Sequence, residues 1–227
     1  MWRQIYESPW NDPVSFIAVN VAVLAAVLLS KSAMRAFLLV FVAEILLDAT
    51  LTFKGAPIPP ALGPYIGIPF VILGDARAII LLERVRRVRS PSEFVSRDPL
   101  RPTLVAIAMA FAVPVMQAIL LQVLPSVFAD RRRLFLAYEL LFLCAWSVYF
   151  AAFVRPALAL AERSLARWAR VIFAFVAVQY TLWSTADIVI LSGYDAGYGL
   201  RLVPSAMYYA VFLPLVWRSA PREVRAS

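Results

Sequence analysis

Glu44 and Asp48 stand four residues apart inside an apolar run, so on a helix both project from one face. In a low dielectric two neighbouring carboxylates resist carrying two charges at once, which is what a proton relay or a general acid requires. The same pair also suits a simpler job, hydrogen-bonded glue between neighbouring helices. Asp75 and Arg77 are two residues apart, about 200° around a helix, so neither is the other's direct partner. Asp75 is expected to face other helices. Arg77 either meets a carboxylate elsewhere, Glu44 being at suitable depth, or stretches its charged end towards water. Glu139 follows Arg132 by seven residues on a similar helical face, the spacing of a structural ion pair, and Asp187 lies one turn beyond Trp183. Amides add hydrogen-bonding capacity at Asn20, Gln117 and Gln179. Placed by depth, Asn20, Asp48, Gln117, Glu139 and Asp187 come from five different apolar segments into the same half. Facing inward, they would line a polar, acidic central pocket. Tyr209 and Trp183, with Tyr138, Trp146, Tyr149, Tyr180 and Tyr208, would supply its walls.

The segments that position these groups are set by composition. The chain has 227 residues, 63% of them apolar and 16% charged, with a mean hydropathy of +0.79. Soluble domains are roughly 45–50% apolar and about 25% charged, so the excess apolar surface here needs lipid as its solvent. Apolar windows fall at about 14–30, 36–53, 64–82, 103–124, 134–154, 168–192 and 202–217, each near the length of a membrane-crossing helix. The expectation is an all-α polytopic membrane protein, one seven-transmembrane-helix bundle over residues 1–227. Trp10, Tyr65, Trp168, Tyr194, Tyr198 and Trp217 mark expected membrane boundaries, as an aromatic belt does. The leader carries Arg3 against Glu7 and Asp12, so the first span reads as a retained anchor rather than a cleaved signal.

Charge sets the expected orientation. Of 22 Lys and Arg residues, fifteen fall in alternate connections and the C-terminal tail, six on the opposite side, and Arg77 inside a span. The positive-inside rule then places the N-terminus outside and the C-terminus in the cytoplasm, as in a multi-pass protein of a bacterial inner membrane. The run from Arg84 to Arg89 is by the same token a topology signal and not a nucleic-acid site. Arg131, Arg132 and Arg133 resist this pattern on the outer side, where they would pair with acids or dock a protein partner. Asp48 and Asp187, each followed 16 or 17 residues later by Pro64 or Pro204, fit a three-plus-one-plus-three repeat of spans. Pro69, Pro114 and Pro214 interrupt three spans, where neighbouring helices can re-satisfy the freed carbonyls.

Leu182-Trp183-Ser184, followed by apolar residues, Gly193 and the Gly197/Gly199 turn, resembles the sixth helix of microbial rhodopsins. Ile68-Pro69-Phe70 before Asp75 is loosely similar to their third helix. The resemblance implies an opsin-like seven-helix plan with the N-terminus outside. That family holds retinal on a seventh-helix lysine, and residues 202–217 here contain none; Tyr208 and Tyr209 stand near its place, and the only lysines are Lys31 and Lys54. Covalent retinal is therefore argued against. Seven-helix sugar and amino-acid transporters of the three-plus-one-plus-three type are similar in plan, without their paired Pro-Gln signatures here.

With no histidine and one cysteine, Cys144, His-ligated metal or haem, Ser-His-Asp and Cys-His catalysis and an intrachain disulfide are excluded. No metal and no cofactor is expected. The chemistry left belongs to carboxylates, amides, aromatics and one buried arginine. That set fits a small-molecule transporter or ligand-responsive membrane protein, with proton coupling through the acids. An intramembrane lipid- or isoprenoid-modifying enzyme using a carboxylate acid, or an accessory subunit of a membrane complex, are the alternatives. The partners implied are the lipid bilayer, a small-molecule or lipid ligand, and no nucleic acid.

Overall fold

A computed structural model describes residues 1–8, 11, 13–30, 32–52, 56, 58–59, 63–128 and 130–226, with the backbone alone for residues 13 and 63–66. The expectations placed on Trp10, Asp12, Lys31, Lys54 and the side chains of Pro64 and Tyr65 lie outside the described residues. The chain is all-helical at 86% helix, with no strand among the described residues. In order come α1 (Trp2–Tyr6), a 3-10 turn (Pro13–Phe16) leading into α2 (Ile17–Leu29), α3 (Arg35–Thr52) and α4 (Gly63–Val85). Then follow α5 (Pro91–Ser96), α6 (Leu100–Val123), α7 (Pro125–Phe128), and α8 (Arg131–Tyr149), which runs through a π-helical turn (Phe150–Val154) into α9 (Arg155–Leu158). Last are α10 (Arg163–Leu191), α11 (Ala196–Ala206), which runs through a second π-helical turn (Met207–Val211) into α12 (Phe212–Ser219), and α13 (Arg222–Ala226).

Four helical stretches are long and apolar enough to cross a membrane: Leu100–Val123, Arg131–Leu158, Arg163–Leu191 and Ala196–Ser219. The other three expected windows fall on the shorter apolar helix Val14–Leu29, on α3 and on α4. α3 carries Arg35, Glu44 and Asp48, and α4 carries Asp75, Arg77, Glu83 and Arg84, within or at the ends of their apolar runs.

Local chemistry explains the boundaries. Asp130 caps α8 by accepting from the Arg132 amide at 2.8 Å, so the helix starts at Arg131 and the arginine triplet forms its first turn. Ser90 accepts from the Glu93 amide and Glu93 reaches back to the Arg89 amide at 2.7 Å, a reciprocal cap that nucleates the short α5. α10 stops where Gly193 takes φ 88°, a left-handed conformation that glycine adopts without a steric penalty.

Packing follows chain order around a ring: α2 on α3, α3 on α4, α4 on α6, α6 on α8, α8 on α10 and α10 on α11, with the second π turn and α12 closing back onto α2 and α3. α4 also touches α10 across the ring, and every residue of it from Gly74 to Glu83 is buried. α4 is thus the central post. α6 turns Pro102, Ala106, Ala110 and Val113 inward, small residues that let two backbones approach closely. The outward faces carry apolar side chains such as Val40, Leu47, Leu104, Phe111, Val148 and Val178.

Trp168 departs from its expected place at a membrane boundary. It is fully buried, donates from Nε1 to the Val216 carbonyl at 3.0 Å and sets its ring edge-on to Phe94. The reason is that α10 begins five residues earlier than the apolar window, at Arg163, and α5 folds Phe94 beneath it. Tyr194 is exposed as a boundary residue would be, and Cys144 is exposed on α8.

Candidate functional site

The centre of the site is Asp75, twelve residues into α4 and so about 18 Å along it. Because α4 is enclosed from Gly74 to Glu83, residues on opposite faces of this stretch are both buried, and this resolves the geometry of Asp75 and Arg77. Asp75 points to α8 and α10, where Tyr138 and Tyr180 donate their hydroxyls to its two oxygens. Arg77 points the other way. Its Nη2 donates to the Tyr208 carbonyl at 3.0 Å, and its guanidinium lies 4.0 Å from the Tyr208 ring centre and 4.5 Å from that of Phe212. A desolvated cation over aromatic faces gains about 2 kcal/mol per contact. Arg77 therefore does not reach for water, and it makes no ion pair with Glu44 among the described residues, although both Glu44 and Asp75 lie within its electrostatic reach.

Gly74 makes the approach of Tyr208 possible: a Cβ there would overlap the phenol ring. With glycine in place, the Tyr208 hydroxyl crosses to donate to the Phe70 carbonyl at 3.2 Å.

The second π turn is what turns two adjacent tyrosines inward. A π turn widens the helix by one residue and frees carbonyls, and Pro214 offers no N–H to the turn before it. The Tyr208 carbonyl takes Arg77 and the Tyr209 carbonyl takes Asn20 Nδ2 at 2.9 Å. Asn20 is thus a pin for the seventh apolar segment. The Tyr209 hydroxyl then donates to Asp48 at 2.9 Å. Gln179 does similar work one turn earlier, donating to the Pro204 carbonyl at 3.4 Å.

Towards the end of the bundle where α1 lies, four charges form one cluster. Asp187, fully buried, accepts from Arg132 Nη1 at 3.1 Å and from Arg201 Nη1. The same Arg201 nitrogen donates to Glu139 at 3.0 Å, and its Nε contacts the Tyr6 hydroxyl at 3.1 Å. The expected pairing is therefore crossed: Glu139 pairs with Arg201, and Arg132, seven residues before it, pairs with Asp187. Arg131 and Arg133 are exposed. One oxygen each of Glu139 and Asp187, both oxygens of Glu44 and Nη1 of Arg77 are buried without a hydrogen-bond partner among the described residues.

A cavity of about 460 Å³ joins the two levels. Of the residues singled out in the sequence, Asp48, Asp75, Gln117, Glu139, Trp183 and Tyr209 line it. Asp187 sits behind its partner Arg201. Arg77 and Gln179 line a much smaller cavity that shares Asp75, Tyr180 and Tyr208, while Asn20 and Glu44 line neither. Trp146 and Tyr149, expected as walls, lie beyond it: Trp146 donates to the Phe173 carbonyl at 3.2 Å and Tyr149 to Glu83 at 2.6 Å. Sequence reading missed Arg201, Ser205, Tyr6 and Phe135, which line the cavity too. The signal for the first two was present. Arg201, Ser205 and Tyr208 follow i, i+4, i+7 and so share one helical face. Among the described residues no three His, Cys, Asp or Glu side chains are grouped to hold a metal ion.

Comparison of the chain with known protein families, with curated proteins and with solved structures gives no match.

Proposed function

We propose that the chain is a seven-helix, multi-pass membrane protein that binds a small organic cation in the cavity above Asp75 and carries it across the membrane in a proton-coupled cycle. In this reading α2, α3 and α4 cross beside the four longer spans. Burial supports it for the charged helices. Glu44, Asp48, Asp75 and Arg77 are all turned inward, whereas lipid would meet Val40, Leu47, Leu51, Ile68 and Val71. A charge that never faces hydrocarbon does not prevent a helix from crossing. The arginine-rich connections support a topology with α5 and α13 on the cytoplasmic side and the cavity mouth outside, as in a bacterial inner membrane.

The observation that carries the function is the combination of space and chemistry at Asp75. Among the described residues, aromatic walls (Phe70, Phe135, Tyr138, Tyr180, Trp183 and Tyr208) surround Asp48, Asp75 and Glu139, while the cation on the lining, Arg201, is engaged by Glu139 and Asp187. Aromatic faces and an acidic floor together select a cation of modest size. A buried carboxylate that meets both the ligand and the proton couples the two, because one cannot be held while the other occupies the same oxygen. The π turn at Met207–Val211 and Pro69, Pro114 and Pro214 are the places where the helices can flex.

The test is uptake of radiolabelled small organic cations, tetraethylammonium among them, into proteoliposomes under an imposed pH gradient. The expected result is uptake that follows the gradient and falls at least tenfold in Asp75→Asn. Uptake no greater than in protein-free liposomes, or equal in Asp75→Asn, would overturn the transport reading. Saturable binding that needs Asp75 but moves no cation would instead make the protein a ligand-responsive receptor.

A further inference from the structure

At the opposite end of the bundle a second cavity, of about 230 Å³, opens between the end of α4, the short α5 and the start of α6. Four arginines line it, Arg84, Arg87, Arg97 and Arg101, against one carboxylate, Asp98. Their neighbours do not exhaust them. Each guanidinium carries five N–H donors. Arg84 gives one to the Phe94 carbonyl at 2.9 Å and lies 3.9 Å from the Phe94 ring centre, which holds it in place. Arg87 spends Nε and Nη2 on Glu83. Arg97 spends Nη1 on Glu93 and on the Arg87 carbonyl. Arg101 makes no ion pair among the described residues. Asp98 is occupied with the first turn of α6, accepting from the Leu100 amide at 3.0 Å.

Arg101 also stands where a cation is least welcome, in the first turn of a 24-residue helix, whose amino end carries partial positive charge. Four cations brought together there, with their charge only partly answered, need an anion. A planar guanidinium matches a phosphate in a two-pronged hydrogen bond. The surroundings indicate what carries the phosphate. One turn after Arg101, exposed Leu104 begins a stripe with Phe111 and Val115 along the outer face of α6, a helix apolar and long enough to cross the membrane. A phosphate in the cavity would thus sit at the head of a continuous apolar track.

We propose that this arginine cavity binds a phosphate group, and that an anionic phospholipid supplies it, its acyl chains lying along α6. The site rests on α6 being a membrane span and is independent of the Asp75 cavity. Its failure leaves the transport reading untouched, and the reverse also holds.

The experiment measures binding to the purified full chain in zwitterionic nanodiscs titrated with phosphatidylglycerol, with phosphatidylcholine as the neutral lipid and inorganic phosphate as the soluble source. The variant Arg97→Gln/Arg101→Gln removes the two exposed arginines and leaves the packed Arg84 and Arg87, and circular dichroism checks its helix content. The expected result is saturable phosphatidylglycerol binding, none for phosphatidylcholine, and affinity weakened about thirtyfold in the double variant. Saturable binding of inorganic phosphate that the double variant loses, without preference for phosphatidylglycerol, would keep the phosphate site and overturn the lipid as its source. Equal retention of both lipids with no phosphate binding, or unchanged affinity in a correctly folded double variant, would overturn the proposal.

Discussion

The two halves of the bundle handle buried charge in opposite ways. Towards the cytoplasmic end of the proposed topology, Glu83 is fully buried and saturated. It accepts from Arg86 at 2.5 and 2.9 Å, from Arg87 at 3.0 and 2.7 Å and from the Tyr149 hydroxyl at 2.6 Å. Around it the core is closed by Leu81, Leu82, Val85, Trp168, Leu213 and Val216. In the other half, Asp48, Asp75 and Glu139 border open volume; among the described residues Glu44 has no hydrogen-bond partner for either oxygen, and Glu139 and Asp187 each keep one oxygen without one. A saturated carboxylate in a filled core holds a structure together. An undersatisfied carboxylate beside a cavity, as Glu139 is, costs stability and marks a place where something else can be bound. Under the proposed transport reading, the half with the cavity would bind the cation and the filled half would close the pathway.

The largest effect is expected from Glu83→Gln. Two arginines and a phenol lose their common acceptor charge, and the melting temperature in detergent is expected to fall by the equivalent of about 3 kcal/mol. Equal stability of Glu83→Gln and the parent would remove the contrast between the halves. Next comes Arg201→Gln. Glu139 loses its partner while Asp187 keeps Arg132, so the cost is expected at about 2 kcal/mol. Cation binding in the cavity is expected to change as well, a second readout that Glu83→Gln should leave unmoved in the fraction that folds.

The smallest effect concerns α1. Asp195, exposed in the turn after α10, accepts from the Arg3 amide at 2.9 Å and the Trp2 amide at 2.8 Å. The Arg3 amide first and the Trp2 amide second hold its carboxyl below the usual carboxylate range. The contribution to α1 docking is therefore complete above about pH 4, the ordinary aspartate value, and is lost as pH falls through the lowered value. Protection of the Trp2–Tyr6 amides, relative to their intrinsic exchange rate at each pH, is expected to be high at neutral pH, to be lost in acid, and to be low at both in Asp195→Ala. Protection independent of both pH and Asp195 would show that α1 is held by Trp2 against Gly199 instead.

The long helices were legible in the sequence because each is a largely apolar run, and each expected window overlaps an observed helical stretch, with starts displaced by up to six residues. Their ends were less so. Trp168 reads as a boundary residue from its apolar window, but α10 begins earlier, at Arg163, and Phe94 of α5 packs edge-on against its ring, a packing that no local pattern announces. The cavity was partly legible. Depth alone grouped Asp48, Gln117 and Glu139, but depth cannot say which way a residue points, and Asn20 turned out to serve a freed carbonyl. Arg201 falls one residue before the expected 202–217 window, although its spacing to Ser205 and Tyr208 puts it on the lining face. The π turn that aims both Tyr208 and Tyr209 inward has no signature in composition. Nor do Asp48 and Asp187 share an environment as a repeat would have it. The first is bonded to Tyr209, and the second is clamped by two arginines.

The central claim is that a water-reachable cavity descends to Asp75 in one half of the bundle while the other half is closed. Cysteine accessibility tests it directly. In a Cys144→Ala background, Ser205→Cys places a thiol on the cavity wall and Ala169→Cys places one in the packed half. With a charged, membrane-impermeant maleimide, rapid labelling is expected at 205, slowed by a bound cation, and none at 169 in the folded protein. Labelling at 205 as slow as at 169 would contradict the claim.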